Sequence, residues 1–166
     1  MNGNSVTSVQ PGRVVQMCVV LSSLSLVTMV ALIVAEIVAR SFFHYSFEVV
    51  DEVGAYLLVA VSFLALAPAQ AAGSFHSVEL IQERLSARVQ RISKKFFLTL
   101  SLVFSLTMLG TITRYVWRTY QQSDVAPTVL QTPLWIPQSV MIVGMASLCI
   151  VLAQSLVRVD VVGATP

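Results

Sequence analysis

The chain has 166 residues, 56% of them hydrophobic and 11% charged, the charge coming from ten basic and eight acidic side chains. A soluble domain carries about 25% charged residues, so too few ionisable groups are present to cover a globule of this size. The mean hydropathy of +0.81 agrees. These figures exclude a soluble enzyme and point to a membrane protein.

The charges are clustered. Residues 14–35, 53–78, 96–113 and 125–157 carry none, the last run containing Pro127, Pro133 and Pro137. Crossing ~30 Å of hydrocarbon takes about 20 helical residues. The runs therefore predict an all-α membrane protein, a single four-helix domain over 1–166, with spans at about 14–35, 53–75, 96–114 and 137–157. Period-two alternation is absent, which excludes barrel strands. The first run is too long for a signal-peptide core and lacks a convincing cleavage site, so it reads as a retained span.

Glu36 and Arg40 close the first span at i, i+4, placed to pair with each other or to snorkel. Phe42, Phe43, Tyr45 and Phe47 then form an aromatic belt of the kind found at the membrane–water boundary. Glu48, Asp51 and Glu52 follow at helical spacing with Val49, Val50 and Val53 on the other side. This reads as a short amphipathic lead-in whose acids are solvated or meet a basic surface on a partner. In the second span Pro68 predicts a kink, and Ala65, Ala69 and Gly73 make a small-residue face. Ala31, Ala35 and Ala39 make another on the first span, and Ser101 with Ser105 a weaker one on the third. Such faces let helices approach closely in lipid.

The connection between the second and third spans predicts a surface helix over residues 79–95. Ile81, Leu85, Val89 and Ile92 share one face, and Arg84, Arg88, Arg91 and Lys95 form a stripe beside it. An apolar face flanked by long cations suits the lipid headgroup region better than nucleic acid. With Arg13, Lys94 and Arg158, seven basic residues gather on this side of the membrane, against Arg40, Arg114 and Arg118 on the other. The positive-inside rule then predicts both termini in the cytoplasm. Arg114 and Arg118, with Tyr115, Trp117 and Tyr120 around them, read as interfacial anchors.

No ionisable side chain lies well inside the four predicted spans, although ion and proton pathways are normally marked by such residues. Cys18 and Cys149 belong to no CxxC pair and read as small hydrophobes. His44 and His76 fall near opposite membrane faces, unsuited to a shared haem. No GxSxG, HExxH or phosphate-loop motif is present, and neither a cofactor nor catalysis is expected. Two competing classes are a self-sufficient small proton-coupled exporter of the multidrug type using Glu36, and a quinone- or haem-linked membrane enzyme.

Several segments resemble the small permease subunit, DctQ type, of tripartite ATP-independent periplasmic (TRAP) transporters. They are Arg40-Ser-Phe42-Phe43-His44-Tyr45-Ser-Phe47-Glu48, Asp51-Glu52-Val-Gly-Ala-Tyr56, Gly73-Ser-Phe-His76-Ser-Val78-Glu79, and Thr132-Pro133-Leu134-Trp135-Ile136-Pro137. The match departs from the family where Asp51-Glu52 replaces two glutamates, where Ala71 and Ala72 replace a basic residue, and where Val143 stands for a proline before Gly144. The resemblance implies a multi-pass subunit of the bacterial inner membrane. It would brace a large permease subunit that imports an organic acid or similar solute by sodium symport, delivered by a periplasmic solute-binding protein. Arg40, Glu48, Asp51, Glu52, Tyr56, Trp135 and Pro137 are the candidate partner-contact residues, and membrane lipids are the expected partner of the basic stripe.

Overall fold

In a computed structural model, the structure describes residues 12–43, 48–72, 87–128 and 130–164. Five helices account for nearly all of them: α1 (Arg13–Phe43), α2 (Glu48–Leu64), α3 (Leu66–Ala71), α4 (Ala87–Gln122) and α5 (Trp135–Ala164). Four membrane-length spans result, with α2 and α3 together forming the second.

The break between α2 and α3 has a local cause. Pro68 lacks an N–H and cannot bond to the carbonyl of Leu64, against which its ring also clashes. The helix is interrupted at Ala65 alone, where the backbone stays near helical angles (φ −74°, ψ −15°). The Ala65 N–H to Val61 O and Ala69 N–H to Ala65 O bonds persist there at 3.0 Å. The expected disturbance by Pro68 is thus a one-residue interruption. Pro137 does no such damage in α5, because it lies in the first turn, where backbone N–H groups have no partner inside the helix.

The helices outrun the bilayer. At 1.5 Å per residue, the 36 residues of α4 extend about 54 Å, against ~30 Å of hydrocarbon. Of the surface helix expected over 79–95, residues 79–86 lie outside the described residues. From Ala87 onward the segment is continuous with the third span, without the break expected before Phe96. Lys94 and Lys95 are half-buried there, while Val89 and Ile92 are exposed.

Burial shows how the helices meet. Between Phe96 and Gln122 the residues of α4 that are not exposed are Leu98, Leu102, Ser105, Leu109, Ile112, Val116 and Thr119. These alternate by four and three, the spacing of a heptad seam, and α4 makes its extensive contact with α5 alone. On α1 the series Val15, Cys18, Ser22, Ser25, Met29, Leu32, Glu36 and Ala39 has the same rhythm and faces chiefly α2. Ala31 and Ala35, members of the expected small-residue face, are exposed, and only Ala39 is half-buried. The elements thus stand in a row, α1, then α2 with α3, then α5, then α4. Near its start α1 also reaches α3 and α5, where Val15 and Cys18 join Leu64, Ala67 and Val151 in the buried cluster.

Hydroxyls on these helices are satisfied locally. Ser25, Ser62, Thr107, Thr111, Thr113, Ser147 and Ser155 each donate to a carbonyl one turn back, at 2.7–3.0 Å. Lipid offers no water to replace those bonds.

At Gly144 the backbones of α5 and α2 come close together. A Cβ at Gly144 would lie 2.6 Å from both the carbonyl carbon and the carbonyl oxygen of Phe63. Those are backbone atoms and cannot swing away. Gly110 on α4, by contrast, has nothing within 4 Å. We expect Gly144→Ala to lower the melting temperature in detergent, with a cost of about 1–3 kcal/mol from overpacking. Gly110→Ala should be neutral or raise it, since Ala is favoured over Gly in a helix by ~0.5–1 kcal/mol. Thermal denaturation of the two variants side by side checks the opposite signs.

A candidate interaction site at the loop end

The end of the row where α4 turns into α5 carries the most organised polar structure. The C-terminus of α4 closes in a Schellman motif. Ser123 takes φ +53°, its N–H bonds to Tyr120 O at 3.3 Å, and the Asp124 N–H bonds to Thr119 O at 3.2 Å. The loop then folds on itself. Ala126 N–H donates to Thr132 O at 3.0 Å and Leu134 N–H to Asp124 O at 3.1 Å, with an antiparallel bridge between Val125 and Pro133. Gln131 makes the return at φ +46°, its N–H bonding to Thr128 O at 3.1 Å.

This hairpin-like loop is fastened to α2. The Thr128 hydroxyl donates to Glu52 Oε2, and the Tyr56 hydroxyl, one turn along α2, donates to Glu52 Oε1 at 2.7 Å. Each carboxylate oxygen therefore has a donor, and Glu52 retains only 7% exposure. An ionised carboxylate is costly to bury without such donors.

The candidate partner-contact residues separate into two groups. Glu52 and Tyr56 are turned inward, to the loop and to each other. Asp51 is exposed beside them, as is Arg40 at the end of α1. Glu48 opens α2. Trp135 is 39% exposed at the start of α5 and Pro137 is half-buried. The Trp135 ring meets Tyr120 edge-on at 5.7 Å, and Tyr120 lies 6.3 Å from Trp117. These three exposed rings make one aromatic strip from α4 to α5, with Tyr115, Arg114 and Arg118 also exposed on α4. Glu36, the residue on which an exporter would depend, is half-buried on the α1 seam.

The lipid-surface candidates belong to the opposite end. Arg84 lies outside the described residues, Arg88 and Arg91 fall in the first turns of α4, and Lys95 is half-buried. The histidines expected near the two membrane faces, His44 and His76, also lie outside the described residues.

Thr128 and the two positive-φ residues were not identifiable in the sequence. Asp-Val-Ala-Pro-Thr marks a loop through its proline but does not say which helix the threonine will meet. Only the position of Glu52, one residue before the charge-free run of α2 begins, hinted that its carboxylate would need a partner.

The chain matches the family model described as the DctQ component of tripartite ATP-independent periplasmic transporters, over residues 29–161. No curated protein and no solved structure matches it. The matched segment includes the second half of α1, all of α2, α3 and α4 and most of α5, and it contains the fastened loop. We expect Glu52→Ala to lower the melting temperature of the purified chain, because Thr128 and Tyr56 lose their shared acceptor. Asp51→Asn should leave it within error. Thermal denaturation in detergent distinguishes the inward carboxylate from the outward one.

Proposed function

The chain belongs to the DctQ family of TRAP transporter components, and we propose that it acts as the membrane scaffold against which the large permease subunit works. The family is a transporter component and not an enzyme family. Within that frame the single observation that carries the scaffold reading is the shape of the chain. Four spans stand in a row, the two edge helices α1 and α4 each engaged along one seam and otherwise exposing apolar side chains. A row with two open edges and two open faces suits a subunit that stands beside a larger one in lipid. Helix pairs there associate by packing and not by expulsion of water.

In this reading the large permease moves an organic acid or similar solute by sodium symport, and a periplasmic solute-binding protein delivers it. Both termini lie in the cytoplasm of a bacterial inner-membrane protein, and the loop end faces the periplasm. The basic residues between the second and third spans then lie at the cytoplasmic leaflet, where anionic headgroups attract them. Asp51, Arg40 and the strip of Trp117, Tyr120 and Trp135 are the exposed residues offered to partners on the periplasmic side. Exposed ion pairs are worth only ~0–1 kcal/mol each, so single charge neutralisations there should be mild.

We expect solute uptake into liposomes under a sodium gradient to require this chain, the large permease and the binding protein together. The chain alone should give none. Uptake by the chain alone would replace the scaffold with a self-contained carrier, and full uptake without it would remove it from the transporter.

A further inference from the structure

The contacts of α5 with α2 have a mechanical weakness. Gly144 brings the two helices into backbone contact near mid-span, with Ala60 and Val140 packed within a turn of it and Leu64, Ala67 and Val151 interlocked on the side away from the loop. A close contact held mainly from one side is a fulcrum about which helices can rock. Among the described residues the α4 helix has no other extensive helix contact, because it packs chiefly on α5. Rocking of α5 would carry α4 with it. At one end of the row this freedom is removed by the cluster of Val15, Cys18, Leu64, Ala67 and Val151, which joins α1, the second span and α5.

At the other end no comparable apolar cluster is present among the described residues. What crosses there is the Glu52 carboxylate, held by the Thr128 hydroxyl from 76 residues away and further stabilised by the Thr132 hydroxyl and backbone N–H on the same loop. Thr128 is carried by the loop joining α4 to α5. That loop is stiffened by its own backbone bonds and by the α4 cap, so a tether at Thr128 holds both helices. Tyr56 occupies the second carboxylate oxygen and keeps the side chain aimed at the loop.

We propose that Glu52 is an internal strap, which fixes the α4–α5 pair against α2 and prevents rocking about the Gly144–Phe63 contact. Its carboxylate is consumed within the chain and is not a contact for another subunit. This inference concerns the chain by itself and holds whether or not the scaffold reading does.

The test uses the full chain in lipid nanodiscs, with Cys18 and Cys149 replaced by Ala, and spin-label pairs at exposed positions. One pair, Ala55 and Gln121, reports the loop end, and the other, Ala71 and Gln154, reports the opposite end. Glu52→Ala and Thr128→Val should each broaden the distance distribution at the loop end and leave the other end unchanged. The double variant should be no broader than Glu52→Ala alone, since that substitution already removes the bond from Thr128 together with the contacts from Thr132. In a separate chain, Glu52→Cys with Thr128→Cys, a short bis-maleimide bridge should restore the melting temperature lost by Glu52→Ala. Unchanged distances in both single variants overturn the strap, as does equal broadening at both ends. A bridged chain that stays as unstable as Glu52→Ala also overturns it, because the carboxylate would then matter for something other than the tether.

Discussion

The arrangement depends on the approach of α5 to α2 at Gly144. Among the described residues the span formed by α5 packs extensively on the second span and on α4 and also touches α1 near its start. It is also the most buried, with a third of its apolar window inside the protein against 6% for α1 and α4. Any side chain at position 144 would push the backbone at Phe63 away. That displacement would reach the α2–α3 interruption next to it and, through α5, the seam with α4. Close approach through a glycine is a general solution in lipid, where dispersion contacts at short range replace the hydrophobic effect.

From that contact outward the chain is a row and not a closed bundle. A closed bundle of four helices would bury a stripe of each against a common centre. Here the edge helices bury one residue in three or four, in a single heptad register. The remaining surface is apolar over most of its length, which is stable only against lipid or other apolar helices. The same openness makes polar fastening valuable, because few side chains are available to stiffen the row. Glu52, Tyr56 and Thr128 supply it at the loop end, and the α4 cap at Ser123 keeps the loop from fraying.

Much of this was legible in the sequence, for physical reasons. Charge-free runs longer than about 18 residues located all four spans, since no other structure hides so long an apolar stretch. Pro68 announced the interruption between α2 and α3. The helices continue past the predicted spans where charge resumes. Glu36 and Arg40 continue α1 to Phe43, and Lys94, Lys95 and Arg118 lie within α4. A helix does not end where the membrane does. Which face meets which neighbour was not legible. Ala31 and Ala35 have the spacing of a packing face yet point outward, because a heptad seam through Ser25, Met29 and Leu32 took the contact. The three acids at the start of the second span looked alike in sequence. A threonine 76 residues away turned one of them inward, and no local pattern encodes that.

The central claim is that this subunit holds its shape while its partner moves. It is tested most directly in the assembled transporter, with labels at Val27 on α1 and Val103 on α4, both exposed on the edge helices. Distances between them would be measured in the absence of sodium and solute, and again during turnover. The scaffold account predicts one distribution in both conditions. A shift between them of several ångströms would show that α1 and α4 move relative to each other during transport, and the chain would then belong to the moving machinery.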